Sequence, residues 1–129
     1  MDNEKSFNVK LTLLRVCGLI EAAVRILEKY QEHYRTFLRS FDASSESEHY
    51  LKRRISSLAN EVDKLLQMFN SLSGFVCKEE PGWHDIVKAY NVLDRYYPEL
   101  VSLGKVPGGI RETMYEVYVN LKKIVENQT

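Results

Sequence analysis

Side chains able to do chemistry are sparse in this chain, and their spacing excludes most of the chemistry available to them. His33, His49 and His84 could ligate a metal or move protons, but none stands in an HExxH pattern or beside a CxxC pair. His33 and His49 approach each other only if a hairpin folds between them, and two ligands do not make a metal site. No serine, cysteine or pair of carboxylates comes with the orienting base that nucleophilic or acid-base catalysis requires. We therefore expect a non-enzymatic protein with no metal and no cofactor.

The remaining polar motifs have plain structural readings. Gly108 and Gly109 in "VPGGIRE" precede a helix and could offer amides to an anion. The lysine and the serine or threonine of a phosphate loop are missing, so the pair reads as a turn and helix start. In "SSESE", Ser45 lies three residues before Glu48, the spacing of a capping box and also of an acidic-directed phosphorylation site. Lys52-Arg53-Arg54 sits beside Glu46 and Glu48 and reads as a solvated helical face. Cys17 and Cys77 lie in apolar surroundings and are read as free core thiols in a reducing interior. The terminal "NQT" is read as a chance sequon.

Composition narrows the class further. A chain of 129 residues is near the size of one domain, and 18 basic residues balance 18 acidic ones. That neutrality gives no field to gather nucleic acid or an anionic membrane. Arg15, Glu21, Arg25 and Glu28 interrupt the most apolar stretch, so no membrane span is expected, and "MDNEKSFN" is unlike a signal peptide. A cytoplasmic protein is the expectation, with association to the cytoskeleton as its finer form.

Apolar spacing supplies the architecture. Val9, Leu13, Val16, Ile20, Ala23, Leu27, Tyr30, Tyr34, Phe37 and Phe41 alternate steps of four and three, the signature of a helix with one seam. Leu51, Ile55, Leu58, Val62, Leu65, Phe69, Leu72 and Val76 repeat it after a polar connection. Two shorter runs follow: Trp83, Ile86, Tyr90, Leu93 and Tyr97, ended by Pro98, then Ile110, Met114, Val117, Leu121 and Ile124. One further turn of helix fits around Leu100 to Leu103. The pattern predicts an all-α antiparallel four-helix bundle in one domain, 1–129. A long hairpin (8–41 and 47–76) combines with a short one (81–97 and 108–126). Residues 1–7 are expected to be flexible, 42–50 to form the turn of the long hairpin and 98–109 a loop.

An antiparallel register can be read from the same residues. Folding the long hairpin at residue 46 faces Phe41 with Leu51, Phe37 with Ile55, Tyr34 with Leu58, Tyr30 with Val62, Leu27 with Leu65, Ala23 with Phe69, Ile20 with Leu72 and Val16 with Val76. Every layer is apolar, and the smallest residue meets a bulky one. In the short hairpin the layers run from Tyr97 and Ile110, through Leu93 and Met114, Tyr90 and Val117, and Ile86 and Leu121, to Trp83 and Ile124. Helices of about thirty residues reach about 45 Å, well beyond the shorter pair. Cys17, Leu19, Val24, Ile26, Leu66, Met68 and Phe75 widen the apolar face at the start of the long hairpin. Gln31, His33, Ser40, Lys52, Arg54, Ala59 and Glu61 narrow it toward the turn.

The turn-ward end is therefore expected to project as a two-helix arm whose aromatic seam takes a helical protein partner. Tyr30, Tyr34, Phe37, Phe41, Tyr50, Leu51, Ile55 and Leu58 are the candidate partner-binding residues. The alternative is a self-contained domain holding a small apolar ligand among Trp83, Tyr90, Met114 and Phe69. The segment "YYPEL…GKVP", within Leu93 to Leu121, resembles the small coiled-coil subunit of the dynactin shoulder, and "EVDKLLQMF" is similar to short helical kinetochore subunits. These resemblances imply a scaffold subunit of a microtubule-linked assembly, and they carry over no functional residue.

Overall fold

The computed structural model describes the backbone of residues 2–40, 45–103 and 109–127, and side chains over 9–40, 45–98 and 109–127. Four helices account for nearly all of it: α1 (Asp2–Ser40), α2 (Glu46–Val76), α3 (Trp83–Leu103) and α4 (Ile110–Asn127). No strand occurs among the described residues. Each helix packs against its sequence neighbours and α1 also packs against α4, while among the described residues the backbones of α1 and α3, like those of α2 and α4, do not approach closely. This is an up-down-up-down bundle with two diagonals, in which every contacting pair is antiparallel.

Ser45 starts α2 as the sequence suggested. Its backbone is extended, and its side chain accepts a hydrogen bond from the Glu48 amide, satisfying a donor that the first helical turn would otherwise leave open. Glu46 and Glu48 place negative charge at the positive end of the helix dipole. Helix α2 then runs past Gly74 to Val76, with Cys77 as its C-cap. At the other loop Gly109 takes a positive φ of 86°, a conformation that L side chains rarely adopt, and its carbonyl accepts from the amide and hydroxyl of Thr113 to open α4.

Several expected boundaries shift. Helix α1 begins at Asp2, so residues 2–7, expected to be flexible, are helical. Residues 46–50, expected in the turn, already belong to α2. Helix α3 does not stop before Pro98 but carries it internally and ends at Leu103, absorbing the separate turn expected around Leu100 to Leu103. Pro98 is exposed, and what it removes is a single amide donor to the turn before it. Residues 104–108 of the expected 98–109 loop, and Phe41, fall outside the described residues.

The core is apolar throughout, with no buried polar side chain among the described residues. Leu13, Val16, Ile20, Ala23 and Leu27 of α1 are buried in one cluster with Val62, Leu65, Phe69, Leu72 and Val76 of α2. Leu66 and Met68 widen this face and are buried, whereas Ile26, expected to join it, is exposed. From the short hairpin come Ile86, Ala89 and Leu93, and Ile110, Met114, Val117, Leu121 and Ile124. Trp83, expected in the last layer, is instead 40% exposed at the first turn of α3. Ile86 and Ala89, further along α3, are buried.

Candidate functional site

The fully buried part of the long hairpin ends at Leu27 on α1 and at Val62 on α2. Beyond these two residues α1 continues to Ser40, and α2 has already run from Glu46. The excess is about 20 Å of helix on one side and about 24 Å on the other, from the rise per residue. Across this neck the Gln31 amide donates to the Asp63 carboxylate at 2.6 Å, a half-buried bond between positions flanking the seam. Two heptads separate Gln31 from Cys17, and two heptads separate Asp63 from Cys77, so this bond and the disulfide fix one common register.

Along the seam, exposure rises step by step. Tyr30 and Tyr34 are half-buried, still pack against the core, and hold their ring centroids 6.0 Å apart at a tilt of 41°. Burial, together with the neighbouring Tyr30 and Glu61, pushes the Tyr34 hydroxyl above the usual tyrosine range, so it stays neutral. Ile55 and Leu58 are half-buried outside the core cluster. Phe37, Leu51 and Tyr50 are exposed by 37%, 40% and 58%. The structure thus brings Tyr30, Tyr34, Phe37, Tyr50, Leu51, Ile55 and Leu58 onto one two-helix element, while Phe41 lies outside the described residues.

Charge around the seam is open to solvent. Lys52, Arg53 and Arg54 are exposed, as expected of a solvated helical face, and His33 and His49 are exposed on the same element. A shallow hollow of about 540 Å³ on α1 is lined by Glu32, His33, Thr36, Phe37 and Ser40. No cluster of three or more potential metal ligands occurs among the described residues. No described helix is long and apolar enough to cross a membrane.

Of the residues proposed to hold a small apolar ligand, Phe69 and Met114 are wholly buried core side chains. Tyr90 is turned to a different task. It stacks on Tyr118 at 5.7 Å, Tyr118 stacks on Tyr97 at 5.1 Å, and Tyr115 leans on Tyr97 at 6.2 Å, forming an aromatic ladder between α3 and α4. The Tyr118 hydroxyl donates to Asp94 at 2.6 Å. That bond, then the one with Tyr90, pushes the Tyr118 hydroxyl far above its ordinary value. This ladder fastens the short hairpin, and the apolar spacing gave no sign of it, because Tyr115 and Tyr118 lie off the α4 seam.

Two groups that sequence reasoning missed complete the picture. Cys17 and Cys77 form a disulfide with Cα atoms 5.5 Å apart and are not the free thiols expected, because the hairpin register sets them side by side. Asp85 accepts from the Gly82 amide at 2.9 Å and pairs with Lys78 at 3.0 Å, tying the α2–α3 connection to the start of α3. Lys78 and the Gly82 amide hold its carboxyl below the usual aspartate range. Gln31 and Asp63 could have been paired from the predicted register, since both flank the Tyr30 and Val62 layer. No family model matches the chain, and neither a curated protein nor a solved structure matches it.

Proposed function

We propose that the protein is a non-enzymatic helical adaptor or scaffold subunit that binds partner helices along the arm. The observation supporting this reading is the loss of burial beyond Leu27 and Val62 while the apolar seam continues through Phe37, Ile55 and Leu51. A pair of helices is seldom stable without further packing, and apolar surface left at such an element commonly receives a partner. One or two partner helices laid against Tyr34, Phe37, Leu51, Ile55 and Leu58 would restore the four-helix packing seen below the neck. Lys52, Arg54 and Glu61 flank the seam and would set the partner's register through charge. A scaffold role in a microtubule-linked assembly is the narrower form of this proposal.

Light scattering on the eluting native assembly tests it, comparing the natural chain with a Phe37→Glu/Leu51→Glu double variant. The natural chain is expected in a species heavier than its 15.1 kDa monomer, alone or with its co-purified partner. The variant should run as a folded monomer with an unchanged helical spectrum. A natural chain that is monomeric and partner-free, or an assembly indifferent to both glutamates, contradicts the proposal.

A further inference from the structure

We propose that the Cys17–Cys77 disulfide is a redox-responsive clasp that sets how firmly the short hairpin is seated, leaving the arm unchanged. Cys77 is the C-cap of α2, the point where the chain leaves the long hairpin for α3, and the bond ties it to α1 across 60 residues of sequence. The next residues are held by Lys78 on Asp85 and by the Gly82 amide on the same carboxylate. The clasp therefore fixes the base of α2 and, through five residues of connection, the first turn of α3.

Accessibility separates this bond from an inert core crosslink. Val16 and Val76, adjacent in sequence to the two cysteines, are buried, whereas Cys17 and Cys77 are both half-buried at the rim of the core. This half-burial leaves part of each cysteine residue open to solvent, and that rim is the proposed approach of a small thiolate to a sulfur. Reduction by a dithiol balances as two electrons and two protons. One reductant thiolate attacks a sulfur of the pair, the S–S bond breaks, and the leaving cysteine takes a proton. The second reductant thiol then attacks the mixed disulfide, releasing the other cysteine as a thiol and the reductant as its own disulfide.

The effect is confined by what else holds each end. At the neck Gln31 and Asp63 keep the hairpin register without the sulfur bond, and Leu27, Leu65 and Phe69 remain buried beneath them. At the base, once the bond opens, what remains among the described residues is packing, the Cys17 Sγ contact with the Val76 carbonyl at 3.4 Å and the Asp85 contacts. Reduction therefore loosens the last turn of α2 and the first of α3, not residues 30–38 or 51–61. This inference is independent of the partner reading, because its readouts need no partner.

Native protein equilibrated with graded dithiothreitol without denaturant, alkylated and weighed by mass spectrometry, tests it together with hydrogen exchange. Both thiols should appear together while the helical spectrum is retained. Amide exchange over 72–77 and 83–87 should quicken at least tenfold, with exchange in the arm unchanged. The Cys17→Ser/Cys77→Ser variant should show the same exchange pattern without reductant. A bond that resists reduction until the fold is lost, or exchange that quickens equally in the arm, overturns the proposal.

Discussion

Phe37 and Phe69 carry the same ring in opposite circumstances, and the difference can be measured. Phe69 is fully enclosed opposite Ala23, so Phe69→Ala leaves a cavity and is expected to cost about 3–5 kcal/mol of unfolding free energy. Phe37 is 37% exposed, and Phe37→Ala should cost about 1 kcal/mol or less in the isolated chain. Urea titration of both variants checks the contrast. Equal losses would mean that the arm is packed as tightly as the bundle.

Asp85 gives a pH-dependent counterpart. Its folded-state pKa lies below the ordinary aspartate value, held there by Lys78 and the Gly82 amide. The carboxylate thus contributes stability that is present above the ordinary value and is lost as pH falls through the lowered one. Asp85→Asn should lower the melting temperature at neutral pH, and the gap from the natural chain should close on acidification. A gap that widens toward acid would contradict the assigned contacts.

At the scale of elements, α3 is the least economical helix. Pro98 lies inside it, exposed, where a residue with an amide hydrogen could complete the helical ladder. Pro98→Ala should stabilise the protein by about 1–3 kcal/mol, read by thermal or urea unfolding, with no change in α-helical boundaries. A loss of stability would show that the break in hydrogen bonding is required by the α3 geometry.

The same helix shows where sequence reasoning reached its limit. Pro98 reads as a stop because a proline removes a donor and crowds the preceding turn, yet Leu100 and Leu103 keep helical spacing beyond it, and the helix continues. Trp83 fits the apolar repeat, but it opens the first turn of α3 and is exposed there. Cys17 and Cys77 were legible as neighbours from the register alone. Their oxidation was not, since spacing places two sulfurs together without stating their redox state. By contrast the long seam, its pairing and the Ser45 cap followed directly from periodicity and capping chemistry, because those signals repeat over many turns.

For the molecule as a whole, the unequal hairpins make two regions with different tasks. Below the neck, four helices share an apolar core; above it, the longer pair continues with its seam increasingly exposed. Replacing residues 34–58 by a short turn should therefore leave a folded four-helix bundle, with a melting temperature within a few degrees of the natural chain. That shortened chain should no longer assemble. Failure of the bundle to fold would show that the arm contributes to the core.

The seam residues of this candidate site were readable as a stripe, and the unequal helix lengths implied their exposure, but its grading from half-buried Tyr30 and Tyr34 to exposed Phe37, Leu51 and Tyr50 was not readable. The most direct measurement is amine crosslinking of the native assembly, with the linked lysines identified by mass spectrometry. Intermolecular links concentrated at Lys29 and Lys52, and missing from Lys122 and Lys123, are the predicted result. Links confined to Lys122 and Lys123, with none on the arm, would contradict the assignment of the arm as the partner-binding element.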